Sequence, residues 1–246
     1  MPEMQSILLE VRNLTKQFGG FTALSNIHFE VSPGERLGFI GPNGSGKTTL
    51  MSCIAGGLRQ TSGTIIYNGI DVTPLQPHQR TRLGIVRSFQ IPRPFSSMTV
   101  VENLCVPLEY VTYRGMLRIA TKVRAEAMAT LEEFGLAGKA NVLSSQLTQV
   151  DLRKLELARA MAVKPALLMS DEAMAGVSSS EVDEVLAILS RLSQRGITII
   201  MIEHIMRAVM HFSERVICLE AGKIIAEAPP QEIAKSPEVR RAYLGT

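Results

Sequence analysis

The sequence predicts an α/β fold: a mostly parallel sheet with helices packed on it, antiparallel strands near the N-terminus, and a helical subdomain inserted mid-chain. Three observations lead there. Apolar runs of strand length alternate with amphipathic stretches along the chain, the pattern of a parallel sheet that binds ligands at its carboxyl ends. A glycine-rich loop, Gly41-Pro42-Asn43-Gly44-Ser45-Gly46-Lys47-Thr48-Thr49, joins one such run to a helix start. Residues from about 91 to 146 are rich in helix formers, between strand-rich flanks.

Taken in order, Ile7 to Leu14 reads as a strand, Phe18-Gly19-Gly20 as a turn, and His28 to Val31 as a second strand. Ser32-Pro33-Gly34-Glu35 turns tightly into the apolar run that ends at Ile40. Leu50, Met51 and Ile54 lie at helical spacing after the loop, and Gly56-Gly57 stops that helix. Gly63 to Gly69 is a strand and its turn, and Ile85 to Phe89 is a buried strand that delivers Gln90. Two prolines keep residues 91–95 out of regular structure. Thr99 and Glu102 form a capping box. One long helix is expected from about Arg114 to Phe134, stopped by Gly135, and another from Leu152 to Met161. Then come the strand 166–172, an amphipathic helix through Val182, Val185, Leu189 and Leu192, and the strand 197–202 delivering Glu203 and His204. A short helix, strands 215–219 and 223–228, and a helical tail finish the chain. The expected organisation is a single domain over 1–246. Its core is 1–90 with 165–246, and its helical subdomain is 91–164.

The loop satisfies the whole pattern G-x-x-x-x-G-K-[ST], in the strand–loop–helix context that its chemistry requires. Glycines let the backbone wrap a polyphosphate with its N–H groups turned inward, and the helix that follows adds its positive end. Lys47 is placed to reach the β- and γ-phosphates, and Thr48 to hold Mg²⁺. ATP and Mg²⁺ are therefore the expected ligands. Phe18, an aromatic beside glycines, either stacks on the adenine or edges the core.

Asp171-Glu172 ends an apolar strand, which argues against a solvated surface pair. The first acid suits Mg²⁺ through water, and the second suits taking a proton from the water that attacks the γ-phosphate. His204 and Gln90 each end a strand as well. His204 could contact the γ-phosphate, and Gln90 could reach Mg²⁺ or the attacking water.

Composition narrows the class. A net charge of +3 without long runs of one sign argues against a nucleic-acid binder. Cys53, Cys105 and Cys218 lie far apart, giving neither a metal motif nor a disulfide framework, as expected in a reducing compartment. The N-terminus lacks the pattern of a signal peptide, and the longest apolar runs fall short of the ~20 residues that span a bilayer. The chain is expected to be soluble by itself. Yet 46% of it is hydrophobic and its mean hydropathy is +0.15, as fits either a partner-covered surface or a generous core.

Gly41–Thr49, Gln90, Leu167–Glu172 and His204 occur in the order of the ATP-binding-cassette (ABC) ATPases, which the whole chain resembles. Closer still, Gln90–Phe95, Leu155–Ala160, Glu203–Met210 and the tail Ala242-Tyr243-Leu244-Gly245 resemble the ATPase subunits of branched-chain amino acid importers. The resemblance implies two cassettes sandwiching two ATP molecules, with a signature loop from each serving the other's nucleotide. It implies a peripheral place on the cytoplasmic face of the membrane, two permease subunits, and indirectly a solute-binding protein. The segment from Gln90 to Met98 would pass motion to the permease, and Phe95 and Met98 fit a docking surface.

The signature falls at Leu147-Thr148-Gln149-Val150-Asp151 and departs from LSGGQ. Val150 replaces a glycine and Asp151 a glutamine. A branched Cβ disfavours φ > 0, and a carboxylate opposes a phosphate, so the partner's site is where weakness is expected. Ala173 also replaces a proline, and Ser178 an Asn or Asp. A heterodimer with a second, intact ATPase fits this asymmetry, and a homodimer stays open. Amides or urea stay open as alternative solutes. A soluble ABC protein without a transport role, or a small-molecule kinase, fits less well.

Overall fold

The computed structural model describes residues 7–88, 94–114, 120–174 and 176–244. Its framework is two sheets. Strands β1 (Leu9–Phe18), β2 (Phe21–Val31), β4 (Ser62–Tyr67) and β5 (Ile70–Asp71) form an antiparallel sheet in the order β2-β1-β4-β5. The larger sheet runs β10-β9-β3-β8-β7-β6, built from β3 (Arg36–Ile40), β6 (Ile85–Arg87), β7 (Leu167–Asp171), β8 (Thr198–Ile202), β9 (Arg215–Glu220) and β10 (Lys223–Ala228). All its pairings are parallel except β9 with β10.

The central strands read as continuous apolar runs because both of their faces are covered. Successive side chains go to opposite cores. Leu37, Phe39, Ile200, Ile202, Ile217 and Leu219 join the core toward the antiparallel sheet. Ile40, Ile199, Met201, Val216 and Cys218 join the core on the other face. Helix α1 (Lys47–Ile54) fills the first core with Leu50, Met51, Cys53 and Ile54. Helices α5 (Gln149–Met161), α6 (Ser179–Gln194) and α7 (Met206–Phe212) cover the second face.

Helix α2 (Pro77–Arg82) is polar on the outside and has no sequence-level apolar period. It is fixed by a Gln76/Gln79 capping box and by Arg80, only 2% exposed, whose guanidinium donates to the carbonyls of Cys53, Ile54, Thr73 and Leu75. That places a cation on the C-terminal end of α1, where the helix dipole favours it.

Between β6 and β7 the described chain is helical. Helix α3 (Val100–Pro107) starts at Thr99 with the Glu102 capping box and runs into a π-turn over Leu108–Thr112. Helix α4 is described over Ala120–Glu133, and Tyr113 and Arg114 form a turn, so Arg114 lies outside the long helix expected from it. Helix α5 starts three residues before the expected Leu152, because Thr148 caps it. Helices α8 (Pro230–Ile233) and α9 (Pro237–Leu244) form the tail. Strands β3, β7 and β8, which lead to the glycine loop, to Asp171 and to Glu203–His204, are parallel neighbours, so they end on one side of the larger sheet, which positions the site.

Candidate nucleotide site

The loop after β3 bends back through glycines at positive φ. Gly41 (φ 141) admits no side chain, since a Cβ would lie 2.0 Å from the carbonyl oxygen of Leu219. At Gly46 (φ 106) a Cβ would lie 2.8 Å from the Ala23 carbonyl oxygen. Helix α1 starts at Gly46 with no side-chain cap and no acid in its first turn. Its positive end faces a cavity of about 320 Å³ lined by Phe18, Phe21, Ala23, residues 43–49, Glu172 and His204. Phe18 is 47% exposed and lies on this wall, with the Lys16 ammonium 4.7 Å above its ring. Phe21, 65% exposed, is a second wall aromatic that the sequence reading missed. Its signal was an aromatic just across the turn from Phe18.

Lys47 is buried and folded onto its own loop. Its ammonium donates to the carbonyls of Gly41 (2.7 Å) and Pro42 (3.1 Å) and to Ser45 Oγ (3.3 Å). Burial pulls its pKa down, while Glu172, Cys218 and Asp171 work to raise it.

Asp171, at the end of β7, is 2% exposed. One carboxylate oxygen accepts from the Arg87 guanidinium, which also donates to Ser52 Oγ at 2.8 Å. Ser52 in turn donates to the carbonyl of Thr48 at 2.7 Å. Arg87 thus ties Asp171 to the first turn of α1. No sequence motif announced this role, because the two residues are 84 positions apart. The donor set fits Mg²⁺: Thr48 and Asp171 offer hard oxygen ligands. Among the described residues no group of three or more His, Cys, Asp or Glu side chains could hold a metal. A hard cation here would share its shell with a nucleotide's phosphates, as Mg²⁺ characteristically does. Gln90 lies outside the described residues.

Glu172 follows with φ 49, a left-handed backbone that a non-glycine residue adopts at a cost. Its N–H is held by the carbonyl of Ile202 (2.9 Å), and its Oε1 lies 2.7 Å from His204 Nε2. The strain aims the carboxylate into the cavity, beside the exposed imidazole. Glu203, next to it, is 2% exposed and accepts from the backbone N–H of Met174 at 2.8 Å. Burial pushes its pKa up to about 7, with a smaller push from Glu172.

Leu147–Asp151 do not line this cavity. Two local features bear on the weakness expected of this segment. Val150 sits inside helix α5, where no positive φ is needed. Asp151 is buried, accepting from Lys139 and from the Thr148 hydroxyl at 2.7 Å, while its own N–H donates to Thr148 Oγ at 3.3 Å. Burial disfavours the carboxylate, but the bonds from Lys139 and Thr148 outweigh it and hold its pKa below the usual value. Its charge is compensated within the chain. Ser178, in place of Asn or Asp, caps α6 with Glu181, a position where the three residue types are interchangeable.

Comparison with known proteins agrees with this geometry. The ABC transporter family model matches residues 24–175, and that of the branched-chain amino acid ATP-binding cassette transporters matches residues 223–246. The high-affinity branched-chain amino acid transport ATP-binding protein LivG of Escherichia coli (strain K12) is 38% identical over 98% of this chain and 99% of its own. The ADP conformation of an ATP-binding cassette of an ABC transporter superposes with a TM-score of 0.88 at 30% identity, covering 98% of this chain and 99% of that one. A dimeric cassette in a post-hydrolysis state bound to ADP and Pi gives a TM-score of 0.81 at 26% identity, over 91% and 99%. The open helix start, the strained acid beside its histidine and these likenesses together place the chain in the ABC transporter ATP-binding family.

Proposed function

We propose that the chain is the ATP-binding and hydrolysing subunit of an importer for a small solute of the branched-chain amino acid class. It would lie on the cytoplasmic face of the membrane, paired with a second ATPase and two permeases. The single observation that carries the reading is Glu172 held in left-handed backbone against His204, at the mouth of the cavity that α1 points into. The solute class rests on the relatives and on the matched C-terminal segment.

In this reading the triphosphate lies along residues 43–49, where main-chain N–H groups and the α1 dipole meet its charge. Lys47 leaves its loop carbonyls for the β- and γ-phosphates. Phe18 stacks on the base, with Phe21 beside it. Thr48, Asp171 and Gln90 would hold Mg²⁺, which when bound neutralises charge on the phosphates. Glu172 takes the proton from the attacking water, and His204 fixes the carboxylate through its Nε2 and contacts the γ-phosphate. The water attacks phosphorus, the bond to the bridging oxygen breaks, and ADP and phosphate leave. Two bound ATP molecules would close the ATPase dimer, and hydrolysis would reopen it.

In this reading the permease contact is the segment Gln90–Met98, of which residues 94–98 are described. The backbone of Phe95 is anchored by Asn103 and Ser144, its ring is exposed, and the Arg159 guanidinium lies 5.0 Å over it. An apolar groove of about 450 Å³ opens beside β6 and α5, with Val86, Pro107, Val111 and Val163 on its walls. Among the described residues no helix is long and apolar enough to cross a membrane.

The signature start of α5 is closed by Asp151 and Lys139, so this chain would serve its partner's ATP poorly and the two sites would turn over unequally. The test is ATP turnover and leucine uptake in vesicles containing the whole transporter. Glu172→Gln should retain ATP binding while turnover falls at least ~100-fold. Uptake of urea in preference to leucine would reassign the solute. Equal turnover at the two sites would remove the asymmetry.

A further inference from the structure

The C-terminal segment holds the nucleotide loop at two points. At its start, the turn between β9 and β10 places Gly222 against the loop: the Gly222 N–H donates to the carbonyl of Ser45 at 3.0 Å, and the Gly222 carbonyl accepts from Ser25 of β2 at 2.8 Å. Gly222 has φ 76, and a Cβ there would lie 2.5 Å from the Ala23 carbonyl oxygen, so the approach is open to glycine alone. From there the chain runs out along β10, turns through α8, and returns in α9, which seats Val239 in the core. At the far end Tyr243, 202 residues from the loop in sequence, brings its hydroxyl 2.7 Å from the backbone nitrogen of Gly41 and accepts its hydrogen.

That bond has a physical reason. Gly41 is where β3 leaves the sheet, and the hard contact with Leu219 lets no side chain in. Its N–H still needs an acceptor. Tyr243 supplies one, while the Gly41 carbonyl is held by Lys47. The two peptides that flank Gly41 are therefore each held, one by Tyr243 and the other by Lys47. When Lys47 turns to a phosphate, the carbonyl loses its donor and the tyrosine remains.

We propose that residues 222–243 act as a strap on the nucleotide loop and that Tyr243 is its positioning residue, keeping the Gly41 peptide in place while Lys47 exchanges a carbonyl for a phosphate. This gives the lineage phrase Ala242-Tyr243-Leu244-Gly245 a mechanical role, and it rests on the nucleotide-binding reading above.

Tyr243→Phe removes one oxygen and keeps the ring. The test is titration of the full-length chain with a fluorescent ATP analogue, together with amide exchange at Gly41 without nucleotide. A lost neutral hydrogen bond predicts an affinity about five-fold weaker and Gly41 exchange faster by a similar factor. Amides of β7 and β8 should exchange as in the parent. Unchanged affinity with unchanged Gly41 exchange would overturn the strap. So would exchange that quickens uniformly over the whole sheet, the mark of a purely structural tyrosine. Failure of the parent chain to bind the analogue would instead overturn the nucleotide reading, and the Gly41 exchange would still judge the strap.

Discussion

Helices α1 and α5 both start from a loop and both point an N-terminus at the surface, yet their first turns are built oppositely. Helix α1 begins at a glycine with φ 106, has no side-chain cap, and carries no acid in its first turn. Helix α5 begins at Thr148, whose hydroxyl exchanges bonds with Asp151, and Asp151 is paired with Lys139. An uncapped helix start keeps N–H groups and a positive end for an external anion. A start with its own carboxylate has already supplied that anion from within. The contrast assigns ligand chemistry to α1 and helix stability to α5.

The two lysines test the contrast most severely. Lys47→Ala should weaken ATP affinity at least ~1,000-fold, more than 4 kcal/mol, because it removes charge-assisted bonds from a desolvated site. Lys139→Ala should leave that affinity unchanged and lower stability by about 1 kcal/mol, since the lysine is half in solvent and the Thr148 hydroxyl still donates to the buried Asp151. Isothermal titration and thermal unfolding of both variants give the comparison. Equal losses of affinity would erase the distinction between the two helix starts.

Arg87 comes next, because it ties the α1 end to a buried acid. Arg87→Met strands the Asp171 carboxylate and should cost about 3 kcal/mol of stability. If Asp171 helps to hold Mg²⁺, adding Mg²⁺ and ATP supplies a replacement charge. The rise in unfolding temperature on adding both should then be larger in the variant than in the parent. An equal rise would separate Asp171 from the metal.

The P-loop end was legible in the sequence because phosphate dictates its residue types: only glycine serves at φ 141 and φ 106, and those glycines sit at fixed spacing. The central strands were legible because burial on both faces leaves an unbroken apolar run such as Ile199 to Ile202. The Thr99 helix start followed local rules. What was hidden is long-range polar pairing. Arg80 reads as a surface charge in a polar segment, and only the folded chain shows it sealing the end of α1. Arg87 with Asp171, Lys139 with Asp151, and Tyr243 with Gly41 are set by topology, and no local pattern encodes them.

Glu203 is a buried carboxylate just past the end of β8. It holds Met174, just past Glu172, and the charges that act on it are Glu172 and Arg153 of α5. Its folded pKa of about 7 is above the ordinary value of 4.5, so the folded chain binds more protons than the unfolded one between those limits. Its contribution to stability is full below pH 4.5 and is lost as pH rises through 7. Glu203→Gln should flatten that part of the pH–stability curve, measured by denaturant unfolding from pH 5 to 8, and should raise stability at pH 8. A parent curve with the same slope as the variant would show that Glu203 ionises normally.

The smallest effect belongs to the closed end. Thr148→Ala removes the cap and should cost about 1 kcal/mol, a fall of roughly 2–4 °C in unfolding temperature for a chain of this size. ATP affinity of the isolated chain should not move, because residues 147–151 are outside its cavity. The informative companion is Asp151→Gln, which leaves the Thr148 hydroxyl without its carboxylate acceptor and Lys139 without its counterion. In the assembled ATPase pair this variant should speed turnover at the partner's site, even as the isolated chain loses a fraction of a kcal/mol. An unchanged rate would mean that the cap merely starts a helix and that the unequal use of the two sites has another origin.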